Sequence, residues 1–468
     1  MTKNHEDTGN IPYLPHTAGD REKMLEAIGV RSFEEIIAHI PADLRVKALA
    51  MKDGLSEIEL TRHIGSLEAK NVPASRQACF LGGGSYRRYV PSVVPQIVSR
   101  SEFATAYTPY QPEVSQGSLQ AIYEFQSAIC LLTGMDVANA SMYDGPTACA
   151  EAGLMACRVT GRKKLIALSS VNSEYRMVTS AYSKACGLTW QTVDREVPIG
   201  NKIRSAIGSE TAAVIVQYPN FFGCFEDMDA IASLVHEAGA LLVVVSDPIA
   251  LAYLTTPAEL GADIVVGDGQ PCGNFLSFGG PSAGFMATRK DYVRQLPGRL
   301  AGVTVDNRGQ RAFTLTLQTR EQHIRRERAT SNICTNQALN ALSMLVYFTM
   351  LGKEGLSRLA EISLLRAHYL KDLLVAIDGV ELACDEPFFN EFLLKVDHDV
   401  DQLLDSMKEK GILAGLKVAS MYPELNSHIL VAVTEMNPVE ELDDFARALE
   451  KLMANRKAGA RDTKVAVP

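Results

Sequence analysis

Apolar positions recur along this chain in three successive textures. In residues 1–75, Met24, Leu25 and Ile28 and then Phe33, Ile36, Ile37 and Ile40 repeat at helical spacing, separated by Gly29 and closed by Pro41, which predicts a helical arm. That pattern is too short to bury a core of its own, so the arm is expected to pack on the main domain or on another subunit. Between about residue 100 and residue 328 short apolar runs alternate with amphipathic stretches. Runs at 165–170, 188–193, 212–218, 241–246 and 264–267 predict strands. The stretch 229–238 predicts a helix, because Ile231, Leu234, Val235 and Ala238 fall on one face and Gly239 stops it. Alternation of this kind predicts a mostly parallel sheet covered by helices on both faces. After Thr335 a long helical pattern, 336–376, is interrupted near Gly352 and Gly355. Strands at 380–383, 391–396 and 428–433 follow, with helices at 400–410 and 438–453. The expected organisation is an N-terminal helical arm (1–75), a large α/β domain (76–335), a smaller C-terminal α+β domain with its connecting helix (336–455) and a flexible tail (456–468).

Composition narrows the function classes. The 468 residues are 47% hydrophobic and 22% charged, which supports a large core and leaves disorder only for the ends. A net charge of −9 argues against nucleic acid as a partner, since phosphate backbones are met by basic surfaces. No apolar run is long enough to span a membrane, and residues 1–10 lack the apolar centre of a signal peptide, so no membrane and a cytoplasmic location are expected. The nine cysteines form no C-x-x-C pair and are odd in number. They indicate neither a zinc site nor a disulfide framework, and are expected to be mostly buried small hydrophobes in a reducing compartment.

Several segments are candidates for chemistry. The turn from Asn139 to Gly145 is rich in hydroxyl and carboxamide side chains and feeds a helix at Pro146, with Ser141, Asp144 and Thr147 as capping residues. A helix start of this kind either cradles a phosphate on its free amides or is an ordinary cap, and Asp144 would repel a phosphate unless turned away. Asp247 ends the 240–246 strand, where it is either the partner of a cofactor's ring nitrogen or the cap of its own Ser-Asp-Pro turn. Tyr107, Thr108, Tyr110 and Gln111 lie in a proline-rich stretch suited to lining a site or an interface. The glycines 82–84 do not complete G-x-G-x-x-G, because Arg87 stands in the slot of the third glycine. The run from His323 to Asn332 carries three arginines that would suit an anion or a solvated helix face. Finally, no lysine occurs between Lys202 and Lys290. In a pyridoxal-phosphate (PLP) enzyme of the aspartate-aminotransferase architecture the Schiff-base lysine would fall there, and Cys272 sits in that very loop.

Four segments make the pattern specific: 106–120, 132–145, 326–337 and Phe388-Phe-Asn-Glu-Phe392. They closely resemble the N-terminal (alpha) subunits of two-chain glycine dehydrogenases (decarboxylating), the P-proteins of the glycine cleavage system. The resemblance runs from about Tyr13 to Met453 and is looser at 45–52. It implies a fold-type I PLP-dependent transferase architecture and a heterotetramer of two alpha and two beta chains. It also implies glycine as substrate, decarboxylated with PLP and passing its aminomethyl group to the lipoylated H-protein. On this resemblance the beta subunit keeps the lysine and PLP, so no catalytic residue and no metal are expected in this chain. Ser141, Asp144, Thr147 and Asp247 would then be a vestigial cofactor pocket, and Tyr107, Thr108, Tyr110 and Gln111 would border the partner's active site. Two alternatives stay open: a catalytically silent structural or regulatory partner of the beta chain, and a self-sufficient PLP enzyme using a distant lysine such as Lys290.

Overall fold

The computed structural model of the chain describes residues 15–46, 50–196, 200–333 and 335–462. The polar stretch 1–10, Cys334 and the end of the expected tail, 463–468, lie outside the described residues. Contacts divide the chain into Met1–Val72 and Pro73–Pro468.

In the first unit the helices are Ala18–Ile28, Phe33–Ile36 and Glu57–Glu68. Thr17 and Ser56 start the two longer ones with reciprocal caps: each hydroxyl accepts the amide of Asp20 or Glu59, and that carboxylate takes the cap's own amide at 2.9 Å. Gly29 ends the first helix in the left-handed region, at φ 84°. None of the three helices buries a side chain.

The second unit is built on a seven-stranded sheet. Its strands are β1 (Val137–Ala138), β2 (Lys164–Leu168), β3 (Thr189–Val193), β4 (Thr211–Tyr218), β5 (Leu241–Ser246), β6 (Ile264–Asp268) and β7 (Gly284–Thr288), in the order β1-β7-β6-β5-β4-β2-β3. Strands β3, β2, β4, β5 and β6 are parallel, and β7 runs antiparallel to β6 and β1. Successive side chains point to opposite faces and both faces are buried. Val214, Val216, Leu242 and Val244 enter one core with Phe125, Ile231 and Tyr347 from covering helices. Ala213, Ile215, Val243 and Val245 enter the other with Ala148, Ala152 and Met155 of the Gly145–Thr160 helix. This is the mostly parallel sheet with helices on both faces that the alternation of the sequence predicts, and it agrees with the fold-type I architecture that the resemblance implies.

A hairpin of β8 (Leu300–Val305) and β9 (Arg311–Thr316) follows, which the apolar pattern does not announce. The long helix Ala338–Val375 is broken at Gly352, whose φ 59° and ψ −175° lie outside the helical region, at the interruption expected there. The last sheet is antiparallel: β10 (Val380–Leu382), β11 (Glu391–Val396), β12 (Leu416–Lys417) and β13 (His428–Ala432), in the order β10-β11-β13-β12. Leu403, Leu442 and Phe445 from the helices Val400–Lys408 and Val439–Asp462 fill its core. The final helix runs to Asp462 and so includes residues 456–462, part of the stretch expected to be a tail. Alanine, arginine and lysine dominate that stretch and are among the best helix formers.

Candidate functional site

A cleft of about 460 Å³ opens at the carboxyl ends of β2 and β6, the edge at which ligands bind in open α/β sheets. The 83–85 loop, Asp144 with Pro146, Asn172 with Tyr175, and the loop that follows β6 line it. Its chemistry is set by how the Gly145–Thr160 helix begins. Asp144 is the N-cap, and its Oδ1 accepts the amide of Thr147 at 2.8 Å and the Thr147 hydroxyl at 2.7 Å. Asp268, the last residue of β6, accepts the amide of Gly145 at 2.9 Å. Pro146 between them has no N–H. The Gly145 and Thr147 amides are therefore held by the chain's own carboxylates, and the Asp144 amide by the Thr147 hydroxyl at 3.3 Å. Asp268 also takes the Gln270 amide at 2.8 Å and the Ser282 hydroxyl, and burial pushes its pKa up. Gly145 is required here, since a Cβ would lie 1.8 Å from the Tyr175 hydroxyl.

The loop after β6 carries a side-chain amide where the cofactor lysine was sought. Gln270 is buried: its Oε1 accepts the Tyr86 amide at 2.8 Å, and its Nε2 donates to the carbonyls of Tyr86 and Asn274, both at 3.1 Å. Cys272 is fully buried and its thiol is pushed well above its ordinary range by burial. Lys290 is exposed and bonds Asp136 through its amide. Because β7 is antiparallel, Gly284 is the strand's end nearest Asp268, and Lys290 leaves from the opposite edge, roughly 17 Å away along the strand. Among the described residues no lysine lines the cleft.

The remaining expected site residues fall into separate surroundings. Ser141 is buried with φ 144°, and its Oγ accepts Asn336 Nδ2 at 2.9 Å and the Gln337 amide at 3.2 Å. It latches the start of the long helix. Asp247 accepts the amide of Ile249 at 2.8 Å, the cap of its own turn. Burial raises its pKa and Arg88 opposes the rise. Neither residue lines the cleft, nor does Thr147, whereas Asp144 does. Tyr107 and Thr108 line a different, apolar cavity of about 110 Å³ that reaches Ala140 and Asn336. Tyr110 receives Arg299 Nη2 on its hydroxyl at 3.2 Å and packs on His323, with ring centroids 5.3 Å apart. Gln111 is exposed. The arginine run at 325–328 is exposed and lies away from the cleft.

The profile of the glycine cleavage system P-protein matches residues 12–449. The chain belongs to the glycine cleavage system P-protein family. A probable glycine dehydrogenase (decarboxylating) subunit 1 of Desulforamulus reducens is 48% identical over 442 residues, covering 94% of this chain and 99% of that one. The corresponding protein of Halalkalibacterium halodurans is 48% identical over 94% of this chain and 98% of its own length. A crystal structure of glycine decarboxylase (P-protein) in inhibitor-bound form superposes with TM-score 0.86 at 44% identity, covering 94% of this chain and 99% of that one. At 15% identity, a Burkholderia pseudomallei sphingosine-1-phosphate lyase shares the fold, with TM-score 0.62 over 91% of this chain.

Membership in the P-protein family raises the question of PLP, and the residues of this cleft do not fit it. Among the described residues no lysine lines the cleft, the phosphate donors at the helix start are taken, and Gln270 is committed to holding the 82–86 loop. Two residues that shape this P-protein cleft were not singled out in the sequence. Asp268 ends a strand as Asp247 does, and only the pairing of strands places it against a helix start. Glu391, within the family motif Phe388 to Phe392, is buried beneath the 82–86 loop. It accepts the Gly83 amide and the Tyr86 hydroxyl, each at 2.7 Å, and burial pushes its pKa up to about 7.

Proposed function

We propose that this chain is the lysine-free alpha subunit of a heterotetrameric P-protein, two alpha with two beta chains, working in the cytoplasm. The beta subunit carries the Schiff-base lysine and PLP. Together they decarboxylate glycine and pass its aminomethyl group to the lipoyl arm of the H-protein. One observation carries the division of labour: at the start of the Gly145–Thr160 helix, Asp144 and Asp268 occupy the first-turn amides, beside a loop that offers Gln270 in place of an amine. Two carboxylates at that point repel a phosphate dianion as well as replacing it. Ser141, Thr147 and Asp247 then serve as packing and capping residues of a vestigial pocket. The stretch containing Tyr107, Thr108, Tyr110 and Gln111 faces the partner's site. Tyr107 is 89% exposed, a large aromatic surface left for a neighbour.

Reconstitution tests the reading. The alpha chain alone, the beta chain alone and the two together are assayed for glycine-dependent carbon dioxide exchange with PLP and lipoylated H-protein. Activity is expected only with the beta chain present, and borohydride should leave a reduced PLP adduct on a beta lysine alone. A stoichiometric adduct on this chain would overturn the proposal. Tyr107→Ala and Gln111→Ala in the assembled complex are expected to lower turnover without changing its size; unchanged turnover would assign this chain a silent structural role instead.

A further inference from the structure

Two cysteines far apart in the sequence meet outside the lining of the cleft. The sulfur atoms of Cys224 and Cys384 and a carboxylate oxygen of Glu386 all lie within 4.8 Å of one another. The two backbones are fastened on both sides of Cys224, three to five residues beyond Cys384. Phe225 donates to the Pro387 carbonyl at 3.1 Å, Phe389 donates to the Gly223 carbonyl at 3.2 Å, and Cys224 forms a bridge with Phe388. Asn220 Oδ1 holds the turn by accepting the amides of Phe222 and Cys224 at 3.0 and 3.1 Å. These main-chain bonds hold the 220–224 turn against the 384–388 segment that carries Cys384.

We propose that Cys224 and Cys384 are an oxidisable dithiol, closed by a small organic disulfide into a bond that ties the 220–224 turn to the 384–388 segment. The two sulfurs are not equivalent. Cys224 is buried and Cys384 is half-buried, so an incoming disulfide reaches Cys384. The Cys224 thiol donates toward Cys384, and the Arg195 guanidinium lies close by. Together they hold the Cys384 pKa below its ordinary value, in that order of importance, which makes it the thiolate and the nucleophile. Arg195 is itself fixed, by Glu386 at 2.9 Å and by buried Glu226 at 3.1 Å.

The step balances as thiol–disulfide exchange. The Cys384 thiolate attacks one sulfur of the reagent and expels its first thiolate, giving a mixed disulfide. Cys224 then loses its proton to solvent, and its sulfur attacks Sγ of Cys384 and expels the second thiolate. The two cysteines lose two electrons, and the reagent gains them as two thiols. A divalent metal on the same groups is disfavoured, because the guanidinium of Arg195 already holds Glu386 and its charge opposes a second cation.

The test uses the full chain and 2-hydroxyethyl disulfide without denaturant. A non-reducing digest should contain a peptide linking Cys224 to Cys384 that is two hydrogens lighter than the sum of its reduced parts and holds no reagent, while exposed Cys186 retains the reagent as a mixed disulfide. In Cys224→Ser the reagent should remain attached at Cys384. In Cys384→Ser the loss of the Cys224 thiol should slow by about tenfold or more, with exposed Cys186 as the internal reference. Folding of each variant is checked by circular dichroism. A persistent adduct on Cys384 in the unsubstituted chain, no reaction at Cys384 while Cys186 reacts, or one equivalent of zinc bound to the purified chain through these thiols would overturn the proposal.

Discussion

Individual carboxylates decide what the cleft of this P-protein chain can do. Burial beneath the 82–86 loop places the titration of Glu391 near neutral pH. Its folded pKa of about 7 stands above the value of roughly 4.3 for the unfolded chain. As pH rises between these two values the unfolded chain releases this proton while the fold retains it. The carboxyl's stability contribution is therefore complete below the window and lost as pH climbs through it, by at most about 4 kcal/mol. Glu391→Gln keeps an acceptor for Gly83 and removes the titration. Urea unfolding at about pH 5 and about pH 8 should show a smaller difference for the variant, which gains relative to the parent at the higher pH. Parallel profiles for the two proteins would show that Glu391 does not titrate in this range. Asp144 acts differently, since its carboxylate caps a helix. Asp144→Ala is expected to lower stability by about 1 kcal/mol, read from the same denaturant curves; a loss near zero would mean that Thr147 needs no cap.

At the scale of elements, the long helix owes its break to one residue. Gly352 sits at φ 59° and ψ −175° with open space where a Cβ would go. Gly352→Ala should therefore cost about 1–3 kcal/mol from backbone conformation alone, without a clash. Unchanged stability would mean that the kink can straighten. Such breaks are legible in sequence because a glycine interrupts a sustained helical period, and the buried strands are legible because β4 and β5 are near-continuous runs of branched apolar residues. The β8–β9 hairpin was not legible because its apolar face is buried at one end only: Ala301, Phe313 and Leu315 pack with Leu119, while Val303 and Val305 are exposed, and threonine and arginine fill the positions between. The turn at Asn139 to Thr147 could be read as a helix start, since Ser141, Asp144 and Thr147 are good capping types. That Asp268 would close the same start depends on β6 lying beside that helix, and no local pattern carries that. The meeting of Cys224 with Cys384 is hidden for the same reason, because only the folded chain brings two unrelated segments together.

For the molecule as a whole, the fold is that of PLP-dependent enzymes, and the helix start and the loop after β6 are held by the chain's own side chains. A carboxylate pair at the helix start and a buried amide after β6 bind the protein to itself, so the frame gains its stability without a ligand. A ligand that binds only the folded state adds RT ln(1 + [L]/Kd), about 2.7 kcal/mol at a concentration 100 times Kd. If this cleft held PLP as a working site does, adding the cofactor to the isolated chain would raise its urea midpoint accordingly. The expected result is no shift for the chain alone, and a clear rise for the complex assembled with a lysine-bearing beta subunit, where the cofactor has its own site. A PLP-dependent rise in the isolated chain that disappears when Gln270 or Asp268 is replaced by alanine would place the cofactor in this cleft, and the division of labour between the two chains would have to be redrawn.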